Sequence, residues 1–87
     1  MGLSNSQKYR IRRAKERRTI VLSAAISRHL GLPSSDHSHD RIIKSSMNAY
    51  LHANFCVQRY DDLTENQFDD YLKAIQSYRY FLDGTYI

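Results

Sequence analysis

Phe55-Cys56-Val57-Gln58-Arg59-Tyr60-Asp61-Asp62-Leu63-Thr64-Glu65-Asn66-Gln67-Phe68 reads as the end of one helix, a short irregular link and the start of another. Thr64 followed by Gln67 is a capping box: the threonine hydroxyl can accept from the Gln67 amide while the glutamine side chain reaches back to the Thr64 amide. Phe68 opens an apolar stripe that Tyr71, Leu72, Ile75, Tyr78 and Leu82 continue at i, i+3, i+4, i+7 spacing. The spacing predicts a helix from about Glu65 to Leu82, with Gly84 as its stop.

Upstream, Ile43, Met47, Tyr50, Leu51 and Asn54 recur at helical intervals down to Phe55. That helix is expected to start near Ser38, with Asp40 in the first turn where the helix dipole favours an anion. Pro33 to His39 is a polar link, and residues 5–31 read as one long helix that Gly31 ends and Pro33 blocks from continuing. A strand over Cys56 to Leu63 would have no clear partner. The fold class expected is all-α: a three-helix (helix–loop–helix–turn–helix) small domain of residues 1–87 forming an oligomeric helical bundle.

The 87 residues make one domain, and a chain of this size buries only about 60–65% of its unfolded surface. Apolar residues are 41% of it, too many for a disordered chain. Its single cysteine, Cys56, excludes an internal disulfide framework and fits a reducing compartment. Tyr80, Phe81 and Tyr86 lie beside the Tyr71/Tyr78 stripe, an aromatic excess that a second copy would cover.

The net charge of +4 hides a split. Residues 1–35 hold eight Lys/Arg and one acid, Glu16, whereas residues 36–87 hold five Lys/Arg and eight Asp/Glu. The run Lys8, Arg10, Arg12, Arg13, Lys15, Arg17, Arg18 crowds the start of a helix, where the macrodipole already disfavours cations. Like charges at i, i+3 or i+4 add about 0.2–0.5 kcal/mol of repulsion each. A counter-anion would relieve that penalty, either phosphate or the acids of a protein partner. The plain alternative is a solvated arm. Residues 1–19 are thus expected to form a basic helical arm, outside the core or against another chain, with residues 20–87 as the helical core.

Other clusters carry less. Asp61, Asp62, Glu65, Asp69 and Asp70 could mimic DNA phosphates, but the last three sit where a helix start wants acids, and a DNA mimic should be acidic overall. Asp36-His37-Ser38-His39-Asp40 is metal-like but lacks a second half; no metal is expected, and no cofactor. His52 and Cys56 share a helical face without the orienting group or oxyanion site that a nucleophile needs. With no phosphate loop, carboxylate pair or serine motif, no enzyme is expected. The longest apolar stretch, Ile20 to Ile26, is interrupted by Ser23 and closed by Arg28 and His29. That run is too short to span a membrane and at the lower limit for a secretory signal, despite Arg17-Arg18 and Ser23-Ala24-Ala25 beside it.

The pattern F-x-V-x-x-Y-x-x-[IL]-x-x-x-[QR]-F between two amphipathic helices, carried here by Phe55, Val57, Tyr60, Leu63, Gln67 and Phe68, resembles the small C-terminal module of temperate-bacteriophage antirepressors. The likeness covers about residues 40 to 80, and Leu72 and Ile75 continue its helix. Cys56 stands where that module commonly has glycine, and Thr64 falls near a usual proline. The resemblance implies a short antirepressor of the bacterial host cytoplasm that binds a phage repressor and lifts repression. The charge split directs it to the repressor's non-DNA-binding domain, because a basic helix is repelled by an operator-reading face. Expected contacts are Arg10, Arg13, Arg17, Tyr60, Tyr78, Tyr80 and Phe81, with the chain itself a dimer or tetramer. The rival is a small basic nucleic-acid-binding regulator that uses the Arg-rich helix. Against it, only residues 1–35 are basic, so any nucleic-acid binding is expected to be weak and non-specific.

Overall fold

The structure, a computed structural model, describes residues 2–33 and 35–87. Three helices are joined in chain order: α1, Asn5–Leu30; α2, Asp40–Phe55; and α3, Glu65–Ser77. A 3-10 turn over Tyr60–Asp62 precedes α3, and a hairpin of β1, Phe81–Leu82, and β2, Thr85–Tyr86, follows it. The architecture is a small, mostly helical, all-α-like domain that ends in a two-stranded hairpin.

Each helix boundary has a local chemical cause. A capping box opens α1: the Gln7 amide donates to Ser4 Oγ at 3.2 Å, and the Ser4 amide to Gln7 Oε1 at 2.9 Å. Gly31 closes it in the left-handed region at φ 71°, with Leu32 N–H reaching the Ser27 carbonyl at 2.8 Å in a Schellman arrangement. The anticipated capping box at α3 forms, its shortest bond running from the Thr64 amide to Gln67 Oε1 at 3.0 Å.

α2 ends on Cys56, which takes φ 54° and gives its amide to the His52 carbonyl. The side chain is exposed. This is a left-handed cap filled by a residue with a Cβ, at a place where glycine is the unstrained choice. Cys56→Gly is therefore expected to raise stability by about 0.5–1 kcal/mol, the relief of strain exceeding glycine's entropic cost. A thermal melt of the variant under reducing conditions checks this.

The expectation that α3 runs to Leu82 with Gly84 as its stop is not met. The helix ends at Ser77, Tyr78 turns extended, and β1 pairs antiparallel with β2. Asp83 and Gly84 both have positive φ, 50° and 82°, which is the two-residue turn that favours an Asp-Gly pair in a hairpin. Tyr80, Phe81, Thr85 and Tyr86 are also strand-formers by type. The apolar spacing at Leu82 fitted a helix by coincidence.

The core is Leu22 and Ile26 of α1, Ile43, Met47 and Leu51 of α2, and Phe68, Tyr71 and Ile75 of α3, with Leu63 and Tyr78 from the links. Leu3 and Ile11 belong to it as well, Ile11 being 0% exposed. Residues 1–19 therefore do not form an arm outside the core. Several of their cations lie against the joint, α2 and α3: Lys8 pairs with Asp61 at 3.3 Å, Arg10 stacks 5.1 Å from the Phe68 ring, and Lys15 donates to Asn48 at 2.8 Å. Arg18 Nε donates to the Tyr78 carbonyl at 2.7 Å, just past the end of α3, where a cation complements the dipole. Long basic side chains lay their aliphatic stems on apolar surface, which is how so charged a helix can pack.

Candidate partner-binding groove

Along α1, positions 10, 14, 17 and 21 recur at one-turn intervals and share a face, while Ile11, Leu22 and Ile26 lie on another that enters the core. On α3, Leu72 and Gln76 flank the buried Phe68, Tyr71 and Ile75 stripe. These two flanks enclose an open groove of about 460 Å³ between α1 and α3. Ala14, Val21 and Leu72 make its apolar lining, and Arg10, Arg13, Arg17 and Arg18 rim it. Ala14 matters because its small side chain leaves room for a visiting group in the middle of the groove.

The arginines are not neutralised. Among the described residues the ion pairs are Lys8–Asp61, His37–Asp40 and Arg59–Asp61, none of which involves the groove. Arg10, Arg13 and Arg17 are exposed, and Arg18 is half-buried at its cap. Burial, with Arg79 nearby, lowers the Arg18 pKa from its ordinary range. A guanidinium starts so high that it stays charged.

The structure thus brings together three of the sequence-predicted contacts, Arg10, Arg13 and Arg17, and separates the others from them. Tyr60 is half-buried at the joint, 5.3 Å from Lys15 Nζ. Tyr78 is buried against Tyr50, with ring centroids 5.3 Å apart. Tyr80 is half-buried, whereas Phe81 is 57% exposed on the hairpin and packs on Tyr86. Neither Tyr60 nor Tyr78 offers much free surface to a partner. Tyr9, Arg18, Val21, Leu72 and Gln76 also line the groove without being among the expected contacts, although Arg18 lies four residues after Ala14 and eight after Arg10, a spacing that puts it within reach.

Lys15 has a different environment. Its ammonium sits 5.3 and 5.4 Å from the Tyr60 and Tyr71 rings, and burial lowers its pKa from 10.5 to about 8. Burial, then the neighbouring Tyr60, raises the Tyr71 phenol from 10.0 to about 12. Between pH 8 and 10 the unfolded chain holds more protons at Lys15 than the folded one, so stability rises with pH there. Above about pH 10 the folded chain keeps the Tyr71 proton that the unfolded chain loses, and stability falls. Denaturant titrations from pH 7 to 11 should show a maximum near pH 10, and Lys15→Met should remove the rising limb alone.

The other sequence clusters are local. Asp36 accepts from the Ser38 amide at 2.9 Å, which, with the side-chain hydrogen bond to Ser38, draws its carboxyl below the usual range. His37 pairs with Asp40 at 3.3 Å, and among the described residues no group of three His, Cys, Asp or Glu is placed to hold a metal ion. No helix among the described residues is long and apolar enough to cross a membrane. Comparison of the chain with protein-family models, curated proteins and solved structures gave no match.

Proposed function

We propose that this protein is a regulatory binding protein of the antirepressor kind, which relieves repression by contacting the non-DNA-binding domain of a phage repressor in the bacterial cytoplasm. The observation that carries the binding role is the row of unpaired arginines over an apolar lining. Arginine and apolar groups together are the usual anchors of a protein interface. The antirepressor assignment comes from the resemblance, and the joint supports it. Leu63 and Phe68 are buried, Phe55 meets the edge of Tyr71 at 5.1 Å, and Cys56 holds the left-handed turn where the module's pattern has glycine. The test is an operator-release assay. A labelled operator bound by its repressor should lose the repressor when this protein is added, and an operator that stays occupied at saturating protein sinks the proposal.

The chain is proposed to act as a dimer or tetramer. Ile20 of α1 is 60% exposed, and the Phe81/Tyr86 pair is exposed at the far end of the chain. Light scattering should return at least twice the 10.2 kDa chain mass at micromolar concentration. A value of one chain mass throughout that range removes the oligomer.

The unpaired arginines also favour a second reading, in which the groove meets the phosphates of nucleic acid. Duplex binding would then weaken with salt at a slope of about −0.9 per neutralised phosphate. Sub-micromolar, sequence-selective binding at physiological salt would establish this reading in place of the first.

A further inference from the structure

The groove between α1 and α3 has a geometry more specific than a basic patch. Arg10, Arg13 and Arg17 lie in a row at intervals of three and four residues, so Arg10 and Arg17 stand about 10 Å apart along the axis. That interval equals two turns of any helix laid alongside α1. Behind the row are the small Ala14, then Val21 and Leu72, an apolar strip of the kind that accepts the ridge of another helix. The opposite wall, Leu72 and Gln76 of α3, carries no charge.

We infer that the α1/α3 groove is a docking site for an amphipathic helix whose apolar ridge is flanked on one edge by carboxylates at i, i+3 or i+4, and i+7. The carboxylates meet Arg10, Arg13 and Arg17, and the ridge covers Ala14, Val21 and Leu72. A nucleic-acid backbone fits less well, because it would leave the apolar strip of Ala14, Val21 and Leu72 uncovered. A fourth helix laid there also gives the three-helix core the packing of a four-helix arrangement. The inference rests on the proposed function only for which protein supplies the helix.

The probe is a labelled, end-capped peptide of about 14 residues, four helical turns, with leucines along one face and glutamates on one edge at the stated spacing. Fluorescence anisotropy with the full chain should show binding, and replacing the glutamates by glutamine should weaken it by about tenfold or more. Arg13→Glu/Arg17→Glu should lose the glutamate peptide and gain a lysine version of it. Amide and methyl NMR shifts of the unmodified chain provide a measurement independent of that variant's folding, and Ala14, Val21 and Leu72 should move while Phe81 and Tyr86 do not. Equal binding of the glutamate and glutamine peptides, or shifts confined to the aromatic hairpin, would overturn the inference. So would displacement of the peptide by an equimolar duplex DNA of similar length. Repressor capture unchanged by Arg13→Glu/Arg17→Glu would overturn the groove and leave the antirepressor reading standing. Peptide binding with no effect on any repressor would support the groove while removing that reading.

Discussion

A chain that begins at Ile20 will not fold. The truncation removes Leu3 and Ile11 from the core and the half-buried Ala14 from its edge. It also removes the Lys8–Asp61 pair, the Lys15–Asn48 hydrogen bond and the Arg18 donor at the end of α3. Ile11→Ala alone should cost about 2–5 kcal/mol, since the side chain is fully enclosed and a cavity replaces it. A domain of this length has about 4–13 kcal/mol in total. Losing the whole half-helix exceeds that margin. Circular dichroism should show little helix and no cooperative thermal transition. A truncated chain that melts cooperatively within a few degrees of the intact one would restore the picture of residues 1–19 as a dispensable arm.

Reversing the groove's charge should leave the fold intact and remove the function. Arg13 and Arg17 are exposed and have no ion-pair partner within the described chain, so Arg13→Glu/Arg17→Glu should change stability by no more than about 0.5 kcal/mol. Each exposed cross-interface pair is worth about 0.2–1 kcal/mol. Reversal replaces attraction by repulsion of similar size, so the double change should weaken repressor binding by about 10- to 100-fold, mostly through a slower on-rate. Arg18→Glu should behave differently. Arg18 caps α3 through the Tyr78 carbonyl, so its loss lowers stability as well as binding. Melting curves alongside surface-plasmon binding separate the two effects. Unchanged affinity in a folded double variant would detach the groove from repressor recognition.

How much of this was readable beforehand follows from the kind of signal each region carries. The Thr64–Gln67 box and the Ile43, Met47, Leu51 and Phe68, Tyr71, Ile75 stripes are local and periodic, and they form as read. Cys56 as a cap was legible only in part: the helix end was visible, but a positive φ leaves no mark on a residue that has a Cβ. Asp83-Gly84 is a hairpin signal, but Leu82 keeps the helical interval, so the spacing alone predicts a helix with Gly84 as its stop. α1 misled most. Its apolar C-terminal half does supply Leu22 and Ile26 to the core, but its buried Ile11, Thr19, Ser23 and Ser27 include three polar residues and its exposed Ile20 and Val21 are apolar, so hydropathy hid the N-terminal half's share of the core. Thr19 is buried because its hydroxyl donates to the Lys15 carbonyl at 2.7 Å, and small serines let helices approach closely. Of the groove residues, the arginine row is visible as charge, whereas Leu72 and Gln76 enter the groove only once α3 is packed beside α1.

The most direct measurement divides a repressor into its DNA-reading domain and the remainder, and tests each for binding to this protein by calorimetry. The account predicts that the remainder binds, that Arg13→Glu/Arg17→Glu weakens that binding, and that the reading domain alone does not bind. Binding by the isolated reading domain, with none by the remainder, would mean that the protein competes for the operator-binding face and would contradict the account.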